Sequence, residues 1–247
     1  EIAPYPGDED LPFGHDLAER LTLTMPRSDN ASATWWFDNL PHTLVTIQGL
    51  RRAPEVGHMT AERQAGDHVF SLFDRFPEHT VMVLTLTARP QDFTRNHIAQ
   101  VKRAAVGDSA EADLTREDAE AVEREMARGN KLYPLGMAFY VRGDDLKTLR
   151  ANVNQLNALL LPNGLQPILH ESDLLALDSY LRNLPMAYDA SLDKASRRSR
   201  LVFSSHTANL LPLYGRSKGT GHPGLVFFNR GAEPLVFDPL HRADRKK

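Results

Sequence analysis

Apolar and polar positions change period several times along the chain, and each change marks an expected element. The first forty residues, with Pro4, Pro6, Gly7, Asp8, Glu9, Asp10, Pro12 and Gly14, read as loop. Thr43–Leu50 reads as a strand, with Leu44, Val45, Ile47 and Leu50 apolar. Ala61, Ala65, Val69, Leu72, Phe73 and Phe76 then fall on one face at helical spacing. Thr80–Thr87 is the clearest strand; Val81 and Val83 point one way and Met82, Leu84 and Leu86 the other, so both faces are expected to be covered.

Phe93, His97, Ile98, Val101 and Ala105 make the next amphipathic helix, ended by Gly107. Thr115 can cap a polar helix through Arg128, whose stripe of Ala119, Val122 and Met126 is thin. Tyr133, Leu135, Met137, Phe139 and Val141 alternate as in a half-buried strand. Asp144 can cap a helix carrying Leu146, Leu149, Val153, Leu156 and Leu160 on one side. Pro162-Asn163-Gly164 turns the chain into a short strand, Leu165–His170, and Pro167 suits an edge position. Ser172 opens a helix with Leu174, Leu177, Leu181 and Leu184, stopped by Pro185.

That order, β-α-β-α-α-β-α-β-α, predicts an α/β or α+β fold, a mixed sheet with packed helices. Two β-α-β passes around a helical insert would suit a duplicated ferredoxin-like arrangement. From Tyr188 the texture changes. Asp189–Arg200 is polar and basic, Gly215–Gly224 holds four glycines, and Leu225–Phe228 with Leu235–Phe237 reads as a C-terminal β-hairpin. The expected organisation is a loop-rich segment over 1–42, an α/β domain over 43–187, and a basic Gly-rich connector with hairpin over 188–247. Residues 189–200 and the Gly-rich loop carry little apolar surface and are expected to be the most mobile parts.

Composition narrows the class without naming an activity. The 247 residues are 41% hydrophobic and 25% charged, ordinary values that exclude disordered and collagenous chains. With no cysteine, disulfides, thiolate metal sites and thiol nucleophiles are out. No apolar run approaches the roughly 18 residues that span a bilayer. Charge is uneven: residues 1–123 carry a net −10 and residues 124–247 a net +7. Such asymmetry marks either an interface joining opposite charges or a nucleic-acid-facing end. Arg197, Arg198, Arg200, Arg216 and Lys218 are the candidate interaction residues; the basic tail lacks the interleaved aromatics of a single-strand binding groove.

Catalytic patterns fail one by one. No G-x-x-x-x-G-K-[ST] exists, and Gly215-Arg216-Ser217-Lys218-Gly219-Thr220-Gly221 places its lysine before the glycines, so it reads as a connector first and an anion cradle second. The ten histidines form no H-x-x-x-H or H-E-x-x-H pair; His97 reads as a core histidine. Ser204-Ser205-His206 lacks a G-x-S-x-G elbow. Glu117, Asp118, Glu120, Glu123 and Glu125 alternate with arginines as on a solvated helix face. Trp35-Trp36-Phe37 reads as aromatics anchoring the start of a core, with a binding platform as the alternative. No catalytic, cofactor-binding or metal-ligating residue is assigned.

The last part of the chain carries a resemblance. Leu184-Pro185-Met186, Arg197-Arg198-Ser199-Arg200, Ser205-His206-Thr207-Ala208-Asn209-Leu210-Leu211-Pro212, Tyr214-Gly215-Arg216-Ser217, Pro223-Gly224-Leu225, Phe228-Asn229-Arg230-Gly231 and Phe237-Asp238-Pro239-Leu240 follow one another. In this order they resemble the conjugative-transfer ATPases of type IV secretion, the TraC/TrbE/CagE-like class, in the form carried by integrating conjugative elements. Over residues 171–247 the resemblance lies in these motifs; over 1–170 it lies in layout. It implies a larger ring-forming P-loop ATPase that uses ATP and magnesium. Its Walker A motif would lie beyond Lys247, so no catalytic residue transfers to this chain. It implies further that this domain docks, peripherally at the cytoplasmic face of the bacterial inner membrane, on channel components and neighbouring subunits. Direct nucleic-acid binding through the basic C-terminal part is the rival expectation.

Overall fold

The computed structural model describes residues 22, 24–61, 63–65, 68–107, 109–169, 172–185, 187–212, 224–228, 234–238 and 240. In chain order the strands and helices are β1 (Arg27–Asp29), β2 (Thr34–Phe37), β3 (Leu40–Leu50), β4 (Arg63–Ala65), β5 (His68–Phe70), β6 (Val81–Leu86), α1 (Gln91–Ala104), α2 (Ala110–Ala127), β7 (Leu132–Arg142), α3 (Leu146–Leu160), β8 (Leu165–Pro167), α4 (Ala176–Arg182), α5 (Ala190–Ser196), β9 (Arg200–Phe203), α6 (Ser204–Leu210), β10 (Leu225–Phe228) and β11 (Pro234–Phe237). The main sheet has the order β1-β2-β3-β7-β6, with β8 on β3 and β9 on β7, and every pairing is antiparallel. The fold is mixed α/β with helices packed on an antiparallel sheet. The C-terminal hairpin is present as β10 paired with β11.

Strand alternation decides the layers. Leu135, Met137, Phe139 and Val141 of β7 point to one face and meet Leu149, Val153, Leu156 and Leu160 of α3 in the main core. Phe139, Leu156 and Leu160 are fully buried. On the other face Ala138 and Tyr140 join Leu44, Trp35, Phe37 and Tyr180 in a smaller aromatic cluster beneath α4. Helix α3 carries the chain from β7 to β8 with β3 lying between them. Since β8 and β7 are each antiparallel to β3, they are parallel to each other, which makes a split β-α-β unit. Of the two expected passes this one is built; the pass from β3 to β6 lacks its helix.

That missing helix is the largest correction to the sequence reading. Residues 61–76 hold the β4–β5 hairpin and a 3-10 turn over Phe73–Arg75 instead. Gly66-Asp67 falls between the two strands, and a Gly-Asp pair is a turn signal that outweighs helical spacing. Two strands also arise inside the stretch read as loop. Asp38 and Asn39, at φ of 49° and 67°, form the two-residue turn joining β2 to β3. Asp and Asn tolerate the left-handed region that such a hairpin turn demands.

Other ends move by a few residues for local reasons. Helix α2 starts at Ala110 because the Ser109 hydroxyl accepts from the Ala112 N–H; Thr115 instead donates to the Glu111 carbonyl within the helix. Asp145 rather than Asp144 caps α3, accepting from the Thr148 N–H at 2.6 Å. His97 and Phe93 lie outward on α1, whose buried residue is Thr94. Strand β6 ends the described sheet, and its two faces are not fully covered: Val81 on one and Leu86 on the other are about half exposed.

The sheet and core extend past the boundary expected at Tyr188. Strand β9 pairs with the start of β7, and Val202 and Leu210 belong to the main core. Arg198 ties this segment down by a bidentate pair to Asp173, of which only 3% of the side chain is exposed. An aspartate so enclosed is tolerated because both its oxygens are met by the guanidinium.

Asp173→Ala, leaving the mostly buried Arg198 unpaired, should lower stability by about 3–5 kcal/mol in urea unfolding, whereas the paired change Asp173→Leu with Arg198→Met should cost much less. A second expectation concerns pH. His58, 4% exposed, faces the Asn163 carbonyl with Nε2 at 3.0 Å, so Nε2 carries the hydrogen and the buried Nδ1 has no partner among the described residues. Burial, with Arg63 nearby, holds this imidazole below its ordinary 6.5, and burial with Arg142 does the same for His42. A lowered histidine pKa means the unfolded chain binds more protons below pH 6.5. Thermal melts should therefore hold steady just above neutrality and fall as pH drops below 6.5, with a shallower fall in His58→Gln.

Candidate interaction surface

Sheet and helix place one broad groove beside α3. The β1–β2 turn (Asn30–Ala33), Leu149, Val153 and Asn157 of α3, and Leu169, Asp173, Leu174 and Leu177 line a space of about 790 Å³. Its walls mix apolar side chains with Arg150, Asn154 and Asn157. Leu174 at its rim is 96% exposed and Leu169 59%.

That exposure reverses the reading of the leucine stripe. Leu174, Leu177, Leu181 and Leu184 are spaced as a core-facing helix face, yet α4 spans only Ala176–Arg182 and buries Ala176, Ser179 and Tyr180 instead. Leu181 and Leu184 are each about 40% exposed. The cause is the aromatic cluster under the helix. The Tyr140 hydroxyl donates to the Tyr180 carbonyl at 2.7 Å, and Trp35 Nε1 donates to the Leu177 carbonyl at 3.1 Å. Tyr180 stacks on Phe37 and meets Tyr140 edge-on. Burial pushes the Tyr180 phenol up to about 12 and raises Tyr140 further, so both hydroxyls stay protonated donors. Small Ala176 and Ser179 let α4 lie close to β3, and the leucines are rotated to the outer side. Trp35 and Phe37 are thus half-buried parts of the core, and Trp36, on the opposite face, carries Arg27 over its ring.

The described candidate basic residues take different positions. Arg198 is turned inward onto Asp173. Arg197, in the left-handed region at φ 53° where α5 ends, and Arg200 stay exposed, the latter donating to the Arg197 and Ser199 carbonyls. Arg216 and Lys218 lie outside the described residues, as does the Gly-rich loop up to Gly224.

The remaining chemistry-bearing groups are occupied structurally. The Ser204 hydroxyl donates to Asn130 Oδ1, and Asn130 Nδ2 donates to Ser205; His206 packs edge-on against Phe203. The acidic helix α2 faces solvent, with Lys102 of α1 bridging Glu120 and Glu123 at 3.2 and 3.0 Å. Among the described residues no cluster of three or more His, Asp or Glu could hold a metal ion, and no helix is long and apolar enough to cross a membrane. The sequence missed the groove entirely. Its lining comes from three distant segments, and the leucines that mark its rim look, in one dimension, like core.

The comparisons fit this layout. A profile of the TraC protein family matches residues 2–188, taking in the groove, the leucine stripe and the strands from β1 to β8. No curated protein matches the chain. The match covers the part of the sequence where the resemblance lay in layout, takes in Leu184-Pro185-Met186, and ends before Arg197-Arg198-Ser199-Arg200 and the later tail motifs, which reach the family by a separate route. On these grounds the chain belongs to the TraC protein family of type IV conjugative transfer.

Proposed function

We propose that this chain is a non-catalytic docking and oligomerisation domain at the N-terminal end of a P-loop ATPase that energises conjugative DNA transfer or pilus assembly. In that larger protein ATP and magnesium belong to a motor domain, and this part holds the motor against inner-membrane components of the channel at its cytoplasmic face. The observation that carries the reading is the outward leucine stripe. Leu169 and Leu174 line a groove while exposed, and Leu181 and Leu184 add partly exposed apolar side chains, surface of the kind that marks interaction sites. Apolar rims on mixed grooves suit a protein partner, which supplies apolar side chains and a few hydrogen bonds together.

The rival reading, nucleic-acid binding through the basic C-terminal part, has one cation fewer to draw on because Arg198 is paired with Asp173. It would require binding whose affinity falls with salt by a log–log slope of about 0.9 per phosphate neutralised.

In the full-length ATPase, Leu174→Glu with Leu181→Glu should lower conjugation frequency by roughly tenfold or more and release the protein from the membrane fraction, with ATP hydrolysis and thermal stability unchanged. Conjugation and fractionation at the unaltered level would defeat the docking reading.

A further inference from the structure

Edge strands expose rows of unpaired N–H and C=O groups, and proteins guard them with charge, proline, bulges or shortness. Among the described residues, the two ends of the β1-β2-β3-β7-β6 path differ in that respect. At one end β1 has three residues, two of them Arg27 and Asp29. At the other, β6 runs six residues, Val81-Met82-Val83-Leu84-Thr85-Leu86, with no charge and no proline.

The register says which groups on β6 are free. Thr87 N–H donates to the Pro134 carbonyl at 3.0 Å, and Val81, Val83 and Thr85 pair with Tyr140, Ala138 and Gly136. In an antiparallel ladder the hydrogen-bonded residues alternate, so the odd-numbered residues turn their backbone groups toward β7. Met82, Leu84 and Leu86 turn theirs away, and no described residue makes a backbone hydrogen bond to them.

We propose that β6 is a pairing edge for the β6 of a second copy of this chain, antiparallel about a two-fold axis at Leu84. Pairing needs outward groups opposite outward groups. With Leu84 facing its own copy, Met82 of each strand falls opposite Leu86 of the other and all three outward residues are matched. Their side chains lie on the face where Met82 and Leu84 already border the main core, so the apolar layer continues from one copy into the next. The ends match too. Glu78 precedes the strand and Arg89 follows it; both are exposed and neither has an ion-pair partner among the described residues. The antiparallel arrangement carries Glu78 of each copy to the Arg89 end of the other, opposite charges at both ends of the joint. The inference rests on the oligomerisation half of the proposed function but uses residues apart from the leucine stripe.

Sedimentation velocity on the 247-residue chain up to about 200 µM tests it, a concentration that reveals any dimer with a micromolar dissociation constant. The wild-type chain should dimerise, and amide exchange at Met82, Leu84 and Leu86 should slow as concentration rises. Leu84→Pro removes an N–H that β7 does not use and should abolish the dimer while leaving the thermal melt near wild type. Leu86→Lys, at a half-exposed outward-bonding position, gives the same reading if the proline variant is less stable. Glu78→Arg should weaken association about tenfold, and Glu78→Arg with Arg89→Glu should restore it. A wild-type chain that stays monomeric, or a dimer indifferent to Leu84→Pro and Leu86→Lys, overturns the proposal. The Leu174→Glu, Leu181→Glu protein should still dimerise, so loss of pairing and loss of docking are read separately.

Discussion

A strand enclosed by a sheet and a helix has no water to satisfy its backbone, so every N–H and C=O along both edges needs a partner. Strand β7 imposes that demand over its eleven residues, and the surrounding topology answers it. On one edge β6 pairs from Tyr140 to Leu135 and Thr87 continues to Pro134. Where the strand ends, the Gln91 side chain takes over: its Oε1 accepts from the Leu132 N–H and its Nε2 donates to the Leu132 carbonyl. On the other edge β3 pairs as far as Ala138 and then leaves to join β8 across an irregularity between Ile47 and Gly49. The chain returns about 150 residues after β3 to fill the vacated edge with β9 (Arg200–Phe203). Leu135 is paired with both Leu86 and Arg200, so β6 and β9 lie on opposite sides of it.

This requirement explains why the segment after Tyr188 is part of the domain. A polar, basic stretch has little apolar surface with which to fold, but β9 brings hydrogen bonds that β7 lacks, and Val202 and Leu210 follow it into the core. Arg198 then fixes the approach by its pair with Asp173. A cation that looks in the sequence like part of an interaction patch is held inward as an anchor.

The same logic produces both surfaces argued to bind. Helix α4 settles on the sheet through Tyr180, whose hydroxyl lies 3.4 Å from His42 Nδ1 and whose ring packs among Trp35, Phe37 and Tyr140. The leucines on its other side, Leu181 and the following Leu184, stay partly exposed. At the far end of the sheet, β6 serves β7 with one edge and has no described strand on the other. Both surfaces are what remains once the internal demands of the central strand and the aromatic cluster are met.

The strict alternation of Tyr133 to Val141, the leucine face of α3, the Pro162-Asn163-Gly164 turn and the C-terminal hairpin were legible by inspection because each is set by contacts within one element or its neighbour. The layered α/β class followed from them, and the tail motifs pointed to conjugative transfer. Strand order, the β4–β5 hairpin in place of a helix, the inward Arg198 and the outward leucines were not legible. A leucine stripe records only that one helix face is apolar; whether that face meets the core depends on which small residues let the helix approach a sheet formed from other parts of the chain. Tyr140, Trp35 and Tyr180 made that choice across more than a hundred residues of sequence, and only the folded arrangement brings them together.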